Sequence, residues 1–269
     1  MSLRQFKLLA GFGLITLLAG AASAQDFHKQ YSTAGATVIV HNVSGDVIVN
    51  GYDGSQVVVD GFATGADRDK VSVEDLSQGD RIELRAHYPR NCECDASIKF
   101  EIKVPRSIRY AIGPLSTASG DISVADVTGE VSAKSASGDV KVSRVTGQVT
   151  ASTASGDVEV DHVVGPISAK SSSGNVTGTL DQLDASGELV FTTASGDVRI
   201  IAPASLNAEV EIHTVSGSLN TDFPLQITVP RYGPSRSAQG RLGDGSHRVR
   251  ISSASGNVTL SSHSDSKLR

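Results

Sequence analysis

From Gly120 onward the apolar positions fall in short alternating runs, separated by a glycine at every ninth residue: Gly120, Gly129, Gly138, Gly147, Gly156, Gly165 and Gly174. Two residues after each glycine stands a β-branched residue, Ile122, Val131, Val140, Val149, Val158, Ile167 or Val176. Two further on stand Val124, Ala133, Val142, Ala151, Val160 and Ala169. Valine and alanine alternate at that last position, so the true repeat is two nonads and one full coil takes 18 residues. Period-two alternation of β-branched residues specifies strands with one buried face, and glycine permits the corner between them. A coil of this kind cannot bury its apolar side alone and must stack on its neighbours. The pattern therefore predicts an all-β chain, a single β-solenoid (β-helix) with about 18 residues per coil. Seven or eight such coils, stacked at about 4.8 Å, make a rod of about 35 to 40 Å. Carried through the corner, the alternation places Ala118, Gly120, Ile122 and Val124 inside and Ser119, Asp121 and Ser123 outside.

The stronger half-repeat, Thr117-Ala118-Ser119-Gly120-Asp121-Ile122, returns at Ser135, Thr153 and Ser171, and in diverged form at Thr193, Thr214 and Ser253. Spacing loosens after Ser173, and Pro224, Pro230 and Pro234 mark a loop insertion near 220–247. Upstream, alternating runs at Val38–Val40, Val47–Val49, Val57–Val59, Ile82–Leu84 and Ile98–Val104, with Ser44-Gly45-Asp46-Val47 as one early copy of the motif, read as an irregular start to the same solenoid. The expected organisation is a signal peptide over 1–24, an N-terminal β region over 25–112, solenoid repeats over 113–260 and a polar tail over 261–269.

The leader assignment rests on Arg4 and Lys7 before an apolar run from Leu8 to Leu18, followed by Ala22-Ser23-Ala24, a small-x-small cleavage site. It implies export through the inner membrane to the periplasm or cell surface, with no stable transmembrane segment after cleavage. Cleavage would remove two basic residues and no acidic ones, leaving 22 Lys+Arg against 29 Asp+Glu, a formal charge of −7. A nucleic-acid partner normally leaves a basic footprint, so none is expected. With 4% aromatic residues, no Trp and 27 Gly, the interior must be narrow and built from Val, Ile and Ala. Cys92 and Cys94, in Asn-Cys-Glu-Cys-Asp, are candidates for a local disulfide, with redox, metal and intermolecular roles as alternatives. On an extended strand their Cα atoms would lie about 6.5 to 7 Å apart, near the limit for a bridge.

Two outward columns hold the candidate chemistry. Asp121, Asp139, Asp157, Asn175, Asp197 and Asn257 stack one coil apart, and like charges so placed repel unless something neutralises them. Either they accept hydrogen bonds from backbone amides at the corner, or they bind calcium; the calcium-binding nonapeptide solenoids place paired glycines and Gly-x-Asp where this chain has a single Gly followed directly by Asp. The hydroxyl pairs Thr117/Ser119, Ser135/Ser137, Thr153/Ser155, Ser171/Ser173 and Thr193/Ser195 either serve the turns or form a flat polar binding face, with Ser119, Ser137, Ser155, Ser173 and Ser195 beside the aspartates. Asp126 with Arg144, and Lys141 with Glu159, are expected as cross-coil pairs. The seven histidines are scattered without metal-ligand spacing, and no nucleophile elbow or phosphate loop is present. No catalytic residue and no cofactor are expected. The one stretch fit for a catalytic loop is 220–247, with Arg231, Tyr232, Arg236, Arg241, Asp244 and His247.

Ile102-Lys103-Val104-Pro105, the Ser-Gly-Asp-Val half-repeats and a later Val229-Pro230 resemble the bacterial candidate-adhesin family of β-strand repeat proteins, a domain of unknown function. The resemblance runs from about Ala36 to Leu260 and implies the β-solenoid architecture, with no ligand or catalytic residues to carry over. The expected function is a non-catalytic envelope or surface protein that contacts an envelope protein or glycan. A solenoid polysaccharide-active enzyme and a self-assembling structural solenoid are the alternatives.

Overall fold

The computed structural model describes residues 27–32, 35–182 and 187–263; the leader expected over 1–24 and the last six residues of the tail lie outside them. The chain is a β-solenoid. Two parallel sheets face each other, and each coil contributes one strand to each sheet, across a glycine corner in every coil but that of 81–105. In spatial order the first sheet runs Arg81–His87, Thr37–His41, Arg109–Ser119, the second half of Ile122–Ser137, Val149–Ser155, Ile167–Ser173, Glu188–Ser195, His247–Ser255 and Ala208–Ser216. The second runs Ser97–Pro105, Val47–Tyr52, the first half of Ile122–Ser137, Val140–Thr146, Val158–Val164, Val176–Gln182, Val198–Pro203, Val258–His263 and Leu219–Thr221. That makes nine coils, more than the glycine ladder alone suggests, because the coil formed by 81–105 has no Ser-Gly-Asp corner.

The 18-residue register holds through the middle, where Val140 pairs with Ile122 on one side and Val158 on the other. At both ends spatial order departs from chain order. The coil of 37–52 lies second, beneath the later coil of 81–105, and the coil of 247–263 lies between those of 188–203 and 208–221. Antiparallel strands close each end. Val57–Thr64 and Phe27–Tyr31 extend one sheet and Ser72–Asp75 the other at the N-terminal end. At the far end Arg236–Leu242 and Gln226–Thr228 add two more. Segment 220–247, expected as an inserted loop, thus holds two strands of a cap. These additions cover both sheets at the N-terminal end and the first sheet at the far end, edges that would otherwise template aggregation. Asp75 fastens the N-terminal cap, pairing with Lys29 Nζ and accepting from Tyr31 Oη at 3.0 Å. Burial opposes its charge, yet hydrogen bonds from Lys29, Ser77 and Tyr31 bring its carboxyl down to about 2. Burial, opposed by Ser77, pushes the Tyr31 phenol up to about 12.

The core is one narrow column of valine, isoleucine, leucine and alanine, with Phe100 and Phe191 as its largest fully buried rings. Three successive coils also bend at a third point that periodicity does not reveal. Asp126, Arg144 and His162, 18 residues apart, all adopt the left-handed conformation, at φ 59°, 51° and 54°. Their side chains project outward, where Arg144 grips Asp126 through two bonds of 2.7 and 2.8 Å, and His162 Nδ1 meets Asp181 at 2.8 Å. The bonds from Arg144 hold the Asp126 carboxyl below the usual carboxylate range. Lys141 pairs with Glu159 at 2.6 Å.

Candidate functional site

The glycine corner is where the candidate residues meet, and its geometry corrects the expected inside-outside assignment. Ile122 and Val124 are fully buried, but Ala118 is exposed, and Thr117 takes its place inside at 5% exposure. Two inward residues, Thr117 and Ile122, are separated by four corner residues, so alternation changes phase at the turn. The glycine is required by what lies beneath it as well as by its dihedral angle. Gly156 has φ +137°, and a Cβ there would stand 2.3 Å from the Gly138 carbonyl oxygen of the preceding coil.

Three ladders run through the stacked corners. Inside, the first hydroxyl of each pair donates to the glycine carbonyl of the adjacent coil: Ser135 to Gly120 at 2.9 Å, Thr153 to Gly138 at 2.8 Å, Ser171 to Gly156 at 2.9 Å and Thr193 to Gly174 at 2.8 Å. These hydroxyls are buried satisfiers of the turn and belong to no outer face. The carboxylate column forms the second ladder. Asp121 Oδ1 accepts the amide of Asp139 at 2.8 Å, Asp139 that of Asp157 at 2.8 Å, Asp157 that of Asn175 at 2.7 Å, Asn175 that of Asp197 at 2.9 Å and Asp197 that of Asn257 at 2.7 Å. An amide oxygen does the same work as a carboxylate at Asn175, which shows that the role is acceptance and needs no charge.

The second hydroxyl of each pair forms the third ladder. Ser44, Ser119, Ser137, Ser155, Ser173, Ser195, Ser255 and Ser216 stand in unbroken register across eight coils. From Ser119 onward they are exposed. Beside them lies a shallow groove of about 720 Å³ with Ala136, Ala154, Ala194 and Ala254 on its floor. Lys134, Ser152, Lys170, Thr192, Ser252 and His213 form its opposite wall. Of the expected face, Ser137, Ser155, Ser173 and Ser195 each follow a groove residue in the chain (Ala136, Ala154, Ser172 and Ala194) without lining the groove themselves, and Ser119 lies one coil beyond it. Asp121, Asp139, Asp157, Asn175 and Asp197 lie around the corner and fasten coils to one another. Lys134 and Lys170 each stand two residues after a serine, a Ser-x-Lys pair that a strand turns to solvent; that they share one column does not show in the repeat, because they recur only every second coil.

Cys92 and Cys94 are joined, with Cα atoms 5.0 Å apart. They lie in the loop before Ser97 and not on a strand, which lets the Cα atoms approach more closely than strand geometry allows. The residues of 220–247 do not converge on one point. Arg236 donates to the Gly217 carbonyl, Arg241 Nε to the Asp244 carbonyl at 3.0 Å, and His247 Nδ1 meets the Asn207 carbonyl at 3.0 Å, while Tyr232 is 86% exposed. Arg241 also lines a polar hollow of about 580 Å³ with Arg248, Arg250, Glu209 and Glu211, in which Arg250 is 2.8 Å from Glu188 and 3.6 Å from Glu211. Among the described residues no group of three or more His, Cys, Asp and Glu side chains is placed to hold a metal ion, and no helix is long and apolar enough to cross a membrane.

The model of the Toastrack DUF4097 family matches residues 30–261. The chain belongs to this family. Among solved structures it is similar to a candidate cell adhesion protein from Clostridium sporogenes, at 12% identity over 88% of this chain and 99% of that one, with a TM-score of 0.30. Candidate adhesins from Bacteroides fragilis, at 11% identity, and Parabacteroides distasonis, at 10%, each match 88% of this chain and 96% of their own, with TM-scores of 0.37 and 0.34. No curated protein matches the chain in sequence.

Proposed function

We propose that this Toastrack protein is a non-catalytic, adhesin-like binding module of the bacterial envelope, exported by its N-terminal leader and acting through the long groove beside the serine ladder. The groove carries the reading. It runs across six stacked coils, with alanine at four of the six levels, and beside them a column of hydroxyl side chains interrupted by Lys134, Lys170 and His213. Such a surface suits an extended ligand gripped repeatedly and weakly. The corner chemistry around it is already committed to holding the stack. The names of the structural neighbours describe those proteins alone.

Binding of the purified protein to envelope fractions tests the reading, with Ala154→Trp as the comparison. Ala154 is an exposed floor residue, so the substitution fills the groove and should change stability by no more than about 0.5 kcal/mol. Saturable binding that falls at least tenfold in Ala154→Trp is expected. Absence of binding, or binding that the substitution leaves unchanged, overturns the assignment.

A further inference from the structure

The ladder register shows a charge pattern along the groove that composition hides. Followed strand by strand across the first sheet, the wall position reads Arg85, His41, Ser116, Lys134, Ser152, Lys170, then Thr192, Ser252 and His213. Not one carboxylate occurs in that column, although the chain as a whole carries 29 acidic and 24 basic residues. On the other sheet Lys141 is neutralised by Glu159 and Arg144 by Asp126. Lys134 and Lys170 take part in no ion pair among the described residues, and no Asp or Glu lines the groove they border.

We propose that the groove binds an acidic linear polysaccharide, an inference that deepens the binding-module reading and rests on it. Lys134 and Lys170 stand two coils apart, about 9.6 Å at a strand spacing of about 4.8 Å. An extended pyranose chain advances by a similar distance every two sugars, so carboxylates on alternate residues meet both ammonium groups. The alanine floor receives the C–H faces of the rings. The hydroxyls of Ser152, Ser172, Thr192 and Ser252 exchange hydrogen bonds with sugar hydroxyls. A single-stranded nucleic acid needs aromatic platforms for its bases, and the groove has none beyond His213. A peptide strand needs a free sheet edge, and here each strand is already paired on both sides.

The test uses the full chain with sodium polygalacturonate as the acidic probe, dextran as the neutral one and phosphatidylglycerol vesicles as a lipid surface. Lys134→Glu/Lys170→Glu is compared with Lys141→Glu, a lysine on the other sheet. The expected result is polygalacturonate binding that weakens with salt, falls at least tenfold in the double variant and is unchanged in Lys141→Glu, with circular dichroism the same for all three. Equal binding of dextran, preference for the vesicles, or equal loss in Lys141→Glu overturns the proposal. Envelope binding that Ala154→Trp abolishes but that polygalacturonate cannot compete would remove the acidic-polysaccharide assignment and leave the binding-module reading standing.

Discussion

In the middle of the rod, from Asp121 to Asn175, the corner bonds join residues 18 apart, such as the Asp157 amide to Asp139 Oδ1, whereas at the ends the same bond joins Asp121 to Asp46, 75 apart, and Asn257 to Asp197, 60 apart. The bond lengths, 2.8, 3.0 and 2.7 Å, are nearly the same. A Ser-Gly corner, followed by Asp or Asn at every level but Ser218, therefore presents a self-complementary surface above and below, and copies stack whatever their separation in sequence. The middle uses this freedom to grow coil by coil. The ends use it to bury an early or late coil beneath a later or earlier one and to finish on antiparallel strands. The same interaction thus supplies both propagation and termination, and only the caps require new side chains, notably Asp75, Lys29 and Tyr31.

The largest effect is expected where stacking has no tolerance. Gly156→Ala in the middle and Gly256→Ala near the C-terminal end each place a Cβ on a backbone oxygen, 2.3 and 1.9 Å away, at φ +137° and +156°. Each should cost about 3 kcal/mol or more, combining left-handed strain with overpacking. Urea unfolding should show a comparable loss for both. A negligible cost at Gly256 would mean that the out-of-order coil is held differently from the middle ones. A smaller effect should distinguish the caps from the repeats through pH. The Asp75 carboxyl lies at about 2 when folded, below its unfolded value near 4. Its contribution is therefore fully present above pH 4 and is lost as pH falls towards 2. Acid unfolding of Asp75→Asn should accordingly show a shallower loss of stability over that window than the wild type, with hydrogen exchange in 27–31 and 72–75 already faster at neutral pH. Identical acid profiles would remove Asp75 from the account of the N-terminal cap.

The repeat length, the coil and the stacking of the middle were legible because glycine, β-branched residues and valine-alanine alternation recur without interruption from Gly120 to Val176. Alternation could not be carried through a corner whose four residues shift its phase, so Thr117 and Ala118 exchanged places. The left-handed bend at Asp126, Arg144 and His162 was hidden because no glycine marks it. Coil order at the ends was hidden too, since identical corners carry no record of which copy lies below. Lys134 and Lys170 read as solvent-facing from strand alternation alone, but the carboxylate-free column they share became visible only once ladder register aligned residues from nine separate strands.

The central claim is that the Asp/Asn column holds the rod together while the neighbouring groove faces its ligand. It is tested most directly by thermal melting and envelope binding of Asp139→Asn/Asp157→Asn, with and without added calcium. Asparagine keeps the oxygen that accepts the next coil's amide, as Asn175 does naturally. The expected result is a melting temperature and binding indistinguishable from wild type, unaffected by calcium. A calcium-dependent melting shift in the wild type that the double substitution abolishes, or loss of binding without loss of stability, would contradict the account.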